Sequence, residues 1–356
     1  MTIVAHCYPF VIGVDTHAKT HTYAIIDTTT AQLVGCQTFP TTAPGIARAL
    51  AWVKRGTSNA PTALWAIECA ATYGAQLAHT VTQAGYEVAE APRTTTPSQR
   101  GTGKSDPLDA HAIAVATLAI SHDKLRRPRA DDGVRHALRV LIAARDHITQ
   151  QKTMNTNALT ALLRVNDLGI DARKPLTGTH ISEVSRWRSR DEPLALAVAR
   201  DEAVRLARQI LAFKETLASN HKRMQELITY SPAAPLLDQP GIGPYTAAII
   251  IAAWSHPGRV RSEAAFAALA GTSPIPASSG NTIRHRLNRG GDRRLNHALH
   301  IIAISRMKNH SDTKTYIEKR LAQGRTNREI RRCLKRYIAR DLYRTLNTLH
   351  HTPATT

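Results

Sequence analysis

Four carboxylates stand out by where they fall in this chain. Asp106 and Asp109 lie three apart in "GKSDPLDAHAIAVATL" (103–118), where Ala110, Ile113, Ala114, Val115 and Leu118 mark a helix with an apolar face. Residues three apart on a helix share a side. Acids also suit a first helical turn for local reasons, because they cap free N–H groups and meet the positive end of the dipole. The pair alone is therefore compatible with a good helix start and nothing more. Asp15 interrupts the apolar run "VIGVDTH" and Glu68 interrupts "LWAIECA", and both runs read as strands. A carboxylate placed in an apolar strand is costly unless something neutralises it. One such acid is commonly a salt-bridged structural residue. Two in different strands, joined to a D-x-x-D helix start, are better explained by a divalent cation: Mg²⁺, which takes hard oxygen ligands, or Mn²⁺ in its place. Two such ions about 4 Å apart can activate an attacking oxygen and stabilise a leaving one in phosphodiester chemistry.

A second group of residues lies far along the chain. In "LLDQPGIGPYTAAIIIAAW" (236–254), Gly241 and Gly243 make a tight turn ahead of a helix that starts at Pro244 or Tyr245. The turn resembles a helix-hairpin-helix, whose amides and helix N-terminus hold a DNA phosphate; it also fits an ordinary corner between helices. In "AGTSPIPASSGNTIRHRLNRGGDRRLNHAL" (270–299), Ser-Ser-Gly precedes Arg284, Arg286, Arg289, Arg293 and Arg294. The arginines fit a phosphate-binding patch without chemistry. With a serine hydroxyl beside them they also fit phosphoryl transfer. Attack on a DNA phosphodiester would leave a covalent phosphoserine that preserves bond energy for rejoining, with guanidinium groups on the phosphoryl oxygens. Lys104 adds a cation just ahead of the acid pair.

The elements that must position these groups follow from periodicity. Residues 10–27 read as a β-hairpin, "CQTFP" as a short third strand, "PGIARALAWVKR" as a helix, 62–70 as a buried strand, "TYGAQLAHTVTQAG" as a helix and "YEVAEAP" as another strand. A basic, Thr-rich loop (93–105) leads into the helix of the acid pair. A hairpin followed by alternating strands and helices predicts a mixed α/β sheet. Residues 133–165 read as one long helix and 166–192 as irregular. A second long helix runs to about 229, and in it Leu206, Ile210, Phe213, Leu217, Asn220, Met224 and Leu227 follow a 4-3 spacing. That seam predicts an arm that pairs helices within or between chains, with Asn220 able to fix register. "SPAAP" (231–235) reads as a linker to a helical domain, and "NREIRRCLKRYIARDLYRTL" as a basic tail helix. The domain plan is 8–130, 131–230, 231–325 and 326–356.

The chain has 356 residues and a formal net charge of +20. A surplus spread over so much of the chain favours polyanions, above all nucleic acid. No apolar run approaches the roughly 20 residues of a membrane span, so no membrane partner is expected. The N-terminus shows no secretory pattern. Four cysteines without a C-x-x-C point to a reducing cytoplasm and against structural zinc. The 17 histidines show no metal-ligand spacing and are assigned to hydrogen bonding at the surface.

"GVDTHAKTH", "AIECAATYG" and "GKSDPLDA" resemble the successive motifs of the DEDD transposases of the bacterial insertion-sequence 110 family. The third fits without a gap. In the first, the usual lysine stands one place late, as Lys19. In the second, the usual flanking glycines are replaced by Cys69 and Ala71. The 270–299 segment resembles the C-terminal transposase domain of the same family, where a serine precedes a glycine ahead of an "RGGDRRLN"-like stretch. The matches cover roughly 11–120 and 235–310.

The resemblance implies a RuvC-like, ribonuclease-H-type N-terminal domain holding Mg²⁺ on Asp15, Glu68, Asp106 and Asp109, a helical arm, and a helical C-terminal domain carrying the nucleophile. That role falls on Ser279, with Ser278 as runner-up. It implies a composite site between protomers of a dimer or tetramer, donor and target DNA as substrates, a structured noncoding bridge RNA as guide, and an intracellular, nucleoid-associated setting. The alternatives are a junction-resolving endonuclease that uses metal-activated water, and a DNA-binding scaffold without chemistry.

Overall fold

After a short helix (α1, Val4–Cys7), the first half of the chain is a sheet built on one buried hairpin. β1 (Phe10–Thr16) and β2 (Thr20–Asp27) pair antiparallel, and all but their outermost residues are buried. Strands buried on both faces need near-continuous apolar sequence, as "FVIGV" and "YAII" supply. The computed structural model describes residues 2–92, 105–129, 133–278, 280, 285–288 and 290–349. The chain divides into two units, Met1–Asp131 and Asp132–Thr356.

In the first unit β3 (Leu33–Pro40) extends the hairpin and is longer than "CQTFP" alone indicates. α2 (Ala43–Gly56), β4 (Leu64–Ile67), α3 (Ala75–Gln83), β5 (Glu87–Glu90) and α4 (Asp106–Leu118) follow. The strand order is β3-β2-β1-β4-β5. β1, β2 and β3 are antiparallel neighbours, whereas β4 and β5 run parallel to β1. This is the mixed five-stranded, ribonuclease-H-like sheet that the sequence predicts.

Alternation along the strands sorts side chains to two faces. Ile12, Val14, Trp65 and Ile67 pack with α2 and α3, through Ile46, Val53, Leu77 and Val81. Val11, Leu64 and Ala66 pack on the other face with Ile113 and Ala114 of α4. The chain beyond α4 is tied back to the sheet by the ion pair of Arg127 with Glu87, a carboxylate that also accepts from the Tyr8 hydroxyl ahead of β1.

The second unit is mainly helical: α5 (Gly133–Val165), α6 (Gly178–Val184), α7 (Leu194–Thr229), α8 (Pro244–Trp254), α9 (Glu263–Leu269), α10 (Arg293–Asn309), α11 (Ser311–Ala322) and α12 (Asn327–Leu349). A two-stranded ribbon, β6 (Ile275–Pro276) with β7 (His285–Arg286), interrupts it. α8 is apolar around nearly its whole circumference and is correspondingly the buried centre, packed with α10, the N-terminal part of α5 and the C-terminal end of α7, in one core with α12.

α5 and α7 pair within the chain. Asn220 Nδ2 donates to Leu141 O at 3.0 Å, Arg145 to Leu217 O at 3.1 Å, and Asn155 Nδ2 to Gln209 Oε1 at 2.8 Å, an order that makes the two helices antiparallel. Asn220 thus ties the helices across the seam. Two local readings need correction. Residues 166–192 contain α6, capped by Thr177, and are not wholly irregular. Ala233, in the segment read as a linker, is buried against the α8 core. Among the described residues no helix is long and apolar enough to cross a membrane.

One close approach sets the geometry of the first unit. A Cβ on Gly13 would lie 2.2 Å from Ala110 O and 2.6 Å from Ala114 N, so α4 rests directly on the β1 backbone. Gly13→Ala should cost about 2–3 kcal/mol by overpacking, measured by urea unfolding of the full chain. Unchanged stability would mean that α4 is not seated on the strand.

Candidate functional site

The same close approach aligns the acids. On β1, Val11, Gly13 and Asp15 share the α4 face, and on α4 residues 106, 110 and 114 share one side at four-residue spacing. One helical turn rises about 5.4 Å and two strand residues about 6.6 Å. With Ala110 seated over Gly13, the next turn toward the helix N-terminus therefore brings Asp106 beside Asp15. Glu68 reaches the same place through the sheet. β4 pairs parallel to β1 with Val14 opposite Ile67, and the Glu68 N–H donates to Val14 O at 3.0 Å. The next residue in that register stands beside Asp15, on the α4 face. Glu68 follows the last residue of β4 instead of lying inside the strand. The carboxyl ends of parallel strands are where open α/β sheets place their ligands.

The sequence reading passed over one member of the cluster. His17 Nε2 lies 3.2 Å from Asp15 Oδ2 and 3.4 Å from Asp106 Oδ1, and one ligand atom from each of the three residues lies within 4.8 Å of the others. His17 follows Asp15 by two residues at the end of a strand, and that spacing keeps both on one face; this signal was present in "VDTH". Asp15 is buried, its side chain 6% exposed, whereas His17 and Asp106 are about half exposed at 54% and 51%. A cavity of about 480 Å³ opens beside His17, lined by Thr41, Thr72, Tyr73, Gln76 and His79.

The electrostatics show crowding. Burial, a side-chain hydrogen bond with Asp15 and the charges of Asp15 and Asp109 push the Glu68 carboxyl above the usual range, against the opposing pull of His17. Asp106 and Asp109 occupy the first turn of α4, where the helix dipole favours anions. Oxygen donors with one imidazole, crowded enough to raise the pKa of one carboxyl, fit a divalent cation, which would remove the repulsion between the acids.

The backbone beside Glu68 carries the mark of the replaced glycine. Cys69 has φ +47°, a left-handed conformation that glycine adopts without a Cβ penalty. The turn is held nonetheless, because Thr72 N–H and Gly74 N–H both donate to Cys69 O and the Thr16 hydroxyl donates to Glu68 O.

The remaining candidates are in the second unit. Gly241 has φ +78°, and a Cβ there would meet Ile302 O at 3.1 Å, so the Pro-Gly-Ile-Gly turn packs on α10. Arg306 Nε donates to Pro240 O across that contact. Gly243 is the N-cap of α8 and has open space around its Cα. Arg286 is exposed on β7. Arg293 and Arg294 begin α10, a place unfavourable for cations, which the N-cap Asp292 offsets by accepting from Arg294 N and Leu295 N. Arg294 pairs with Asp146 at 2.8 Å. Ser278 is exposed in the segment after β6. Lys104, Ser279, Arg284 and Arg289 lie outside the described residues.

Comparison with known proteins agrees with both halves. Residues 12–165 match a family model described as "Transposase", of the DEDD type of IS110 elements, and residues 233–318 match one described as "Transposase IS116/IS110/IS902 family". The chain is similar to the "Insertion element IS110 uncharacterized 43.6 kDa protein" of Streptomyces coelicolor, with 29% identity over 124 residues, 34% of this chain and 31% of that protein. It is also similar to the "Insertion element IS900 uncharacterized 42 kDa protein" of Mycobacterium paratuberculosis, with 26% identity over 341 residues, 82% of this chain and 85% of that one.

Two outcomes follow from the crowded acids. A raised carboxyl pKa favours the folded state below the ordinary carboxylate range, and that gain is lost as pH rises through the raised value. Glu68→Gln should therefore flatten this part of the pH–stability profile of metal-free protein. At neutral pH it should raise the melting temperature without added metal and shrink the further rise on adding Mg²⁺ or Mn²⁺. A profile identical to wild type would show that Glu68 is not coupled to Asp15. Separately, Cys69→Gly should leave stability unchanged or raise it by up to about 1 kcal/mol, because the strain of the left-handed turn offsets the entropy cost of glycine; a loss on thermal melting would contradict that strain.

Proposed function

The chain belongs to the IS110 family of transposases, and on that premise we propose that it cleaves and rejoins DNA strands through a serine nucleophile, with Asp15, Glu68, Asp106 and Asp109 as a RuvC-like metal-binding set. The observation that carries the reading is the convergence of Asp15, His17 and Asp106, from two elements ninety residues apart, on one small volume beside Glu68. When bound, Mg²⁺ or Mn²⁺ at the acids would stabilise charge on the phosphoryl and leaving oxygens. The protein's own residues do the rest. Asp15, fixed in the sheet and buried, anchors the set. The N-terminus of α4 presents Asp106 and Asp109 with their charges supported by the helix dipole. His17, beside two carboxylates, is placed to hold or pass a proton.

In the proposed reaction the Ser279 hydroxyl attacks a DNA phosphorus. A bond forms from Ser279 Oγ to phosphorus while the phosphorus bond to one deoxyribose oxygen breaks. The serine proton passes to a base and the departing oxygen gains one. Attack by a strand-end hydroxyl on the phosphoserine reverses these steps and joins the new partner, so no energy-rich cofactor is consumed. Arg284, Arg286, Arg289, Arg293 and Arg294, with Lys104, are the proposed phosphate contacts, together with the Gly241–Gly243 turn.

The family resemblance further supports a composite site, the serine and the acids coming from different protomers of a dimer or tetramer, with the paired α5 and α7 as the arm. It supports a bridge RNA as the guide that selects donor and target DNA by base pairing. Such delegation suits a strongly basic protein in which no base-reading module is evident.

The test is a Mg²⁺-dependent strand-exchange assay with the full chain, the RNA from the noncoding end of the element and labelled donor and target DNA. Ser279→Ala should abolish both the covalent protein–DNA adduct and joined product, Ser278→Ala should retain them, and Asp15→Ala should lower the rate by at least about 100-fold. Cleavage by Ser279→Ala without an adduct would assign the acids to a junction-resolving endonuclease. Binding without cleavage by wild type under every metal condition would leave only a scaffold.

A further inference from the structure

Within the second unit, a cavity of about 620 Å³ lies between the β6–β7 ribbon, α10, α11 and α12, and its walls are unusually cationic. Six arginine and lysine side chains line it against one carboxylate, Glu329. That carboxylate is already engaged, accepting from Thr326 N–H at 2.9 Å and from the Thr326 hydroxyl at 3.0 Å. Among the described residues, Arg286 and Arg332 have no ion-pair partner. Lys335 donates to a neutral oxygen, Asn296 Oδ1, at 2.7 Å. Arg336 pairs with Glu263 through Nη2 at 3.0 Å, while its Nη1 is buried without an acceptor. Burial lowers the Lys335 pKa, and the nearby charges of Lys335 and Arg331 add to burial in lowering that of His300. Even with Arg325 paired to Glu329 and Arg336 to Glu263, the lining carries a net positive charge, a field that favours an anion.

The cavity also offers aromatic surface. Tyr316 and Tyr337 meet edge to face, ring centres 5.8 Å apart, with Arg320 over Tyr316 and Arg340 over Tyr337. Tyr337 remains 38% exposed. Cations on a phosphate path beside an accessible ring are the means by which proteins hold unpaired nucleotides. The volume lies in the range of small-ligand pockets and is too small for a duplex, but it suits one or two nucleotides. The ribbon adds direction. Pro274 before β6 and His285 and Arg286 on β7 line the cavity, so both strands of the ribbon meet its rim.

We propose that this cavity binds an unpaired, phosphate-bearing segment of a nucleic-acid strand, with Arg286, Arg332 and Lys335 on the phosphates and a base against Tyr337, and so holds a single strand beside the β6–β7 ribbon. The proposal rests on the reading above only in taking the polyanion to be nucleic acid. It requires neither the acids nor the serine to be active.

The test is fluorescence anisotropy of the full-length chain in EDTA, where cleavage chemistry is silent. The probes are a short labelled homopyrimidine DNA strand, its RNA counterpart and a duplex of equal length, over a range of salt. Arg286→Ala/Arg332→Ala, both sites being exposed, should weaken single-strand binding by about tenfold or more and make its salt dependence shallower by about one phosphate contact or more. Duplex binding should change less than twofold. Tyr337→Leu should weaken single-strand binding by about fivefold or more with an unchanged salt slope, since stacking carries no counterion release. Tighter binding of the DNA strand assigns the cavity to substrate, and tighter binding of the RNA strand assigns it to a guide. Asp15→Ala should bind as wild type does, which separates failure here from failure of the catalytic reading. Equal losses for strand and duplex, or no loss in either variant, would overturn the proposal, as would competition by a free nucleoside triphosphate at the concentration of the strand itself. Thermal melting of each variant within about 2 °C of wild type is the control for folding.

Discussion

The absence of a side chain at Gly13 is the constraint on which the first unit depends. α4 lies so close to β1 that the missing Cβ would fall within 2.2 Å of a backbone carbonyl. At a wider separation the helix would still cover the sheet and still bury Ile113. Its N-terminus, however, would no longer bring Asp106 to Asp15 and His17. Distance along the helix converts into position along the strand because the two repeats, one turn and two residues, are nearly equal in length. A packing contact in the middle of the domain is thereby transmitted to the strand end, where the acids and His17 gather.

What this packing holds together is electrostatically unfavourable. Asp15 is buried, Glu68 adjoins it across the parallel pairing of β1 and β4, and Asp109 adds a further charge, with the result that the Glu68 carboxyl retains its proton to higher pH than usual. A hydrophobic scaffold that forces acids into proximity is one way to build affinity for a divalent cation, since binding then relieves a repulsion the fold has already incurred. The left-handed Cys69 belongs to the same account. The chain turns away immediately after Glu68, and the tight turn is maintained by hydrogen bonds to Cys69 O despite a residue that disfavours it.

The second unit separates apolar and charged groups in another way. Its stability rests on α8, a helix buried nearly all round, with α10 and α12 packed on it. Those outer helices and the ribbon carry cations at the surface and around the cavity, and among the described residues Arg286 and Arg332 meet no acid. Arg294 is satisfied by Asp146, and Glu263 serves Arg336, Arg340 and Arg344 together. Against these, Arg286, Arg332 and Lys335 around the cavity are left to a ligand. The ion pairs cancel and add nothing to the net charge of +20; the cations around the cavity belong to the surplus that remains, and it is the surplus that informs about partners.

By itself the sequence determined the features that depend on near neighbours. Near-continuous apolar runs specified the β1–β2 hairpin, helical periodicity specified α4, α5 and α7, and the D-x-x-D start put two acids on one side of a helix, because each pattern is complete within a few turns or residues. The resemblance to the family motifs implied that Asp15 and Glu68 go with that pair. Tertiary structure decided the rest. It set Glu68 just beyond β4, brought His17 into the acid cluster, packed the supposed linker at Ala233 into the core, and paired α7 with α5 of the same chain through Asn220. It also assembled a cationic cavity from segments as far apart as Gly271 and Tyr337. Those outcomes depend on which elements touch and how closely, and closeness is governed by steric facts, such as the bare Cα of Gly13, that no local pattern in the chain expresses.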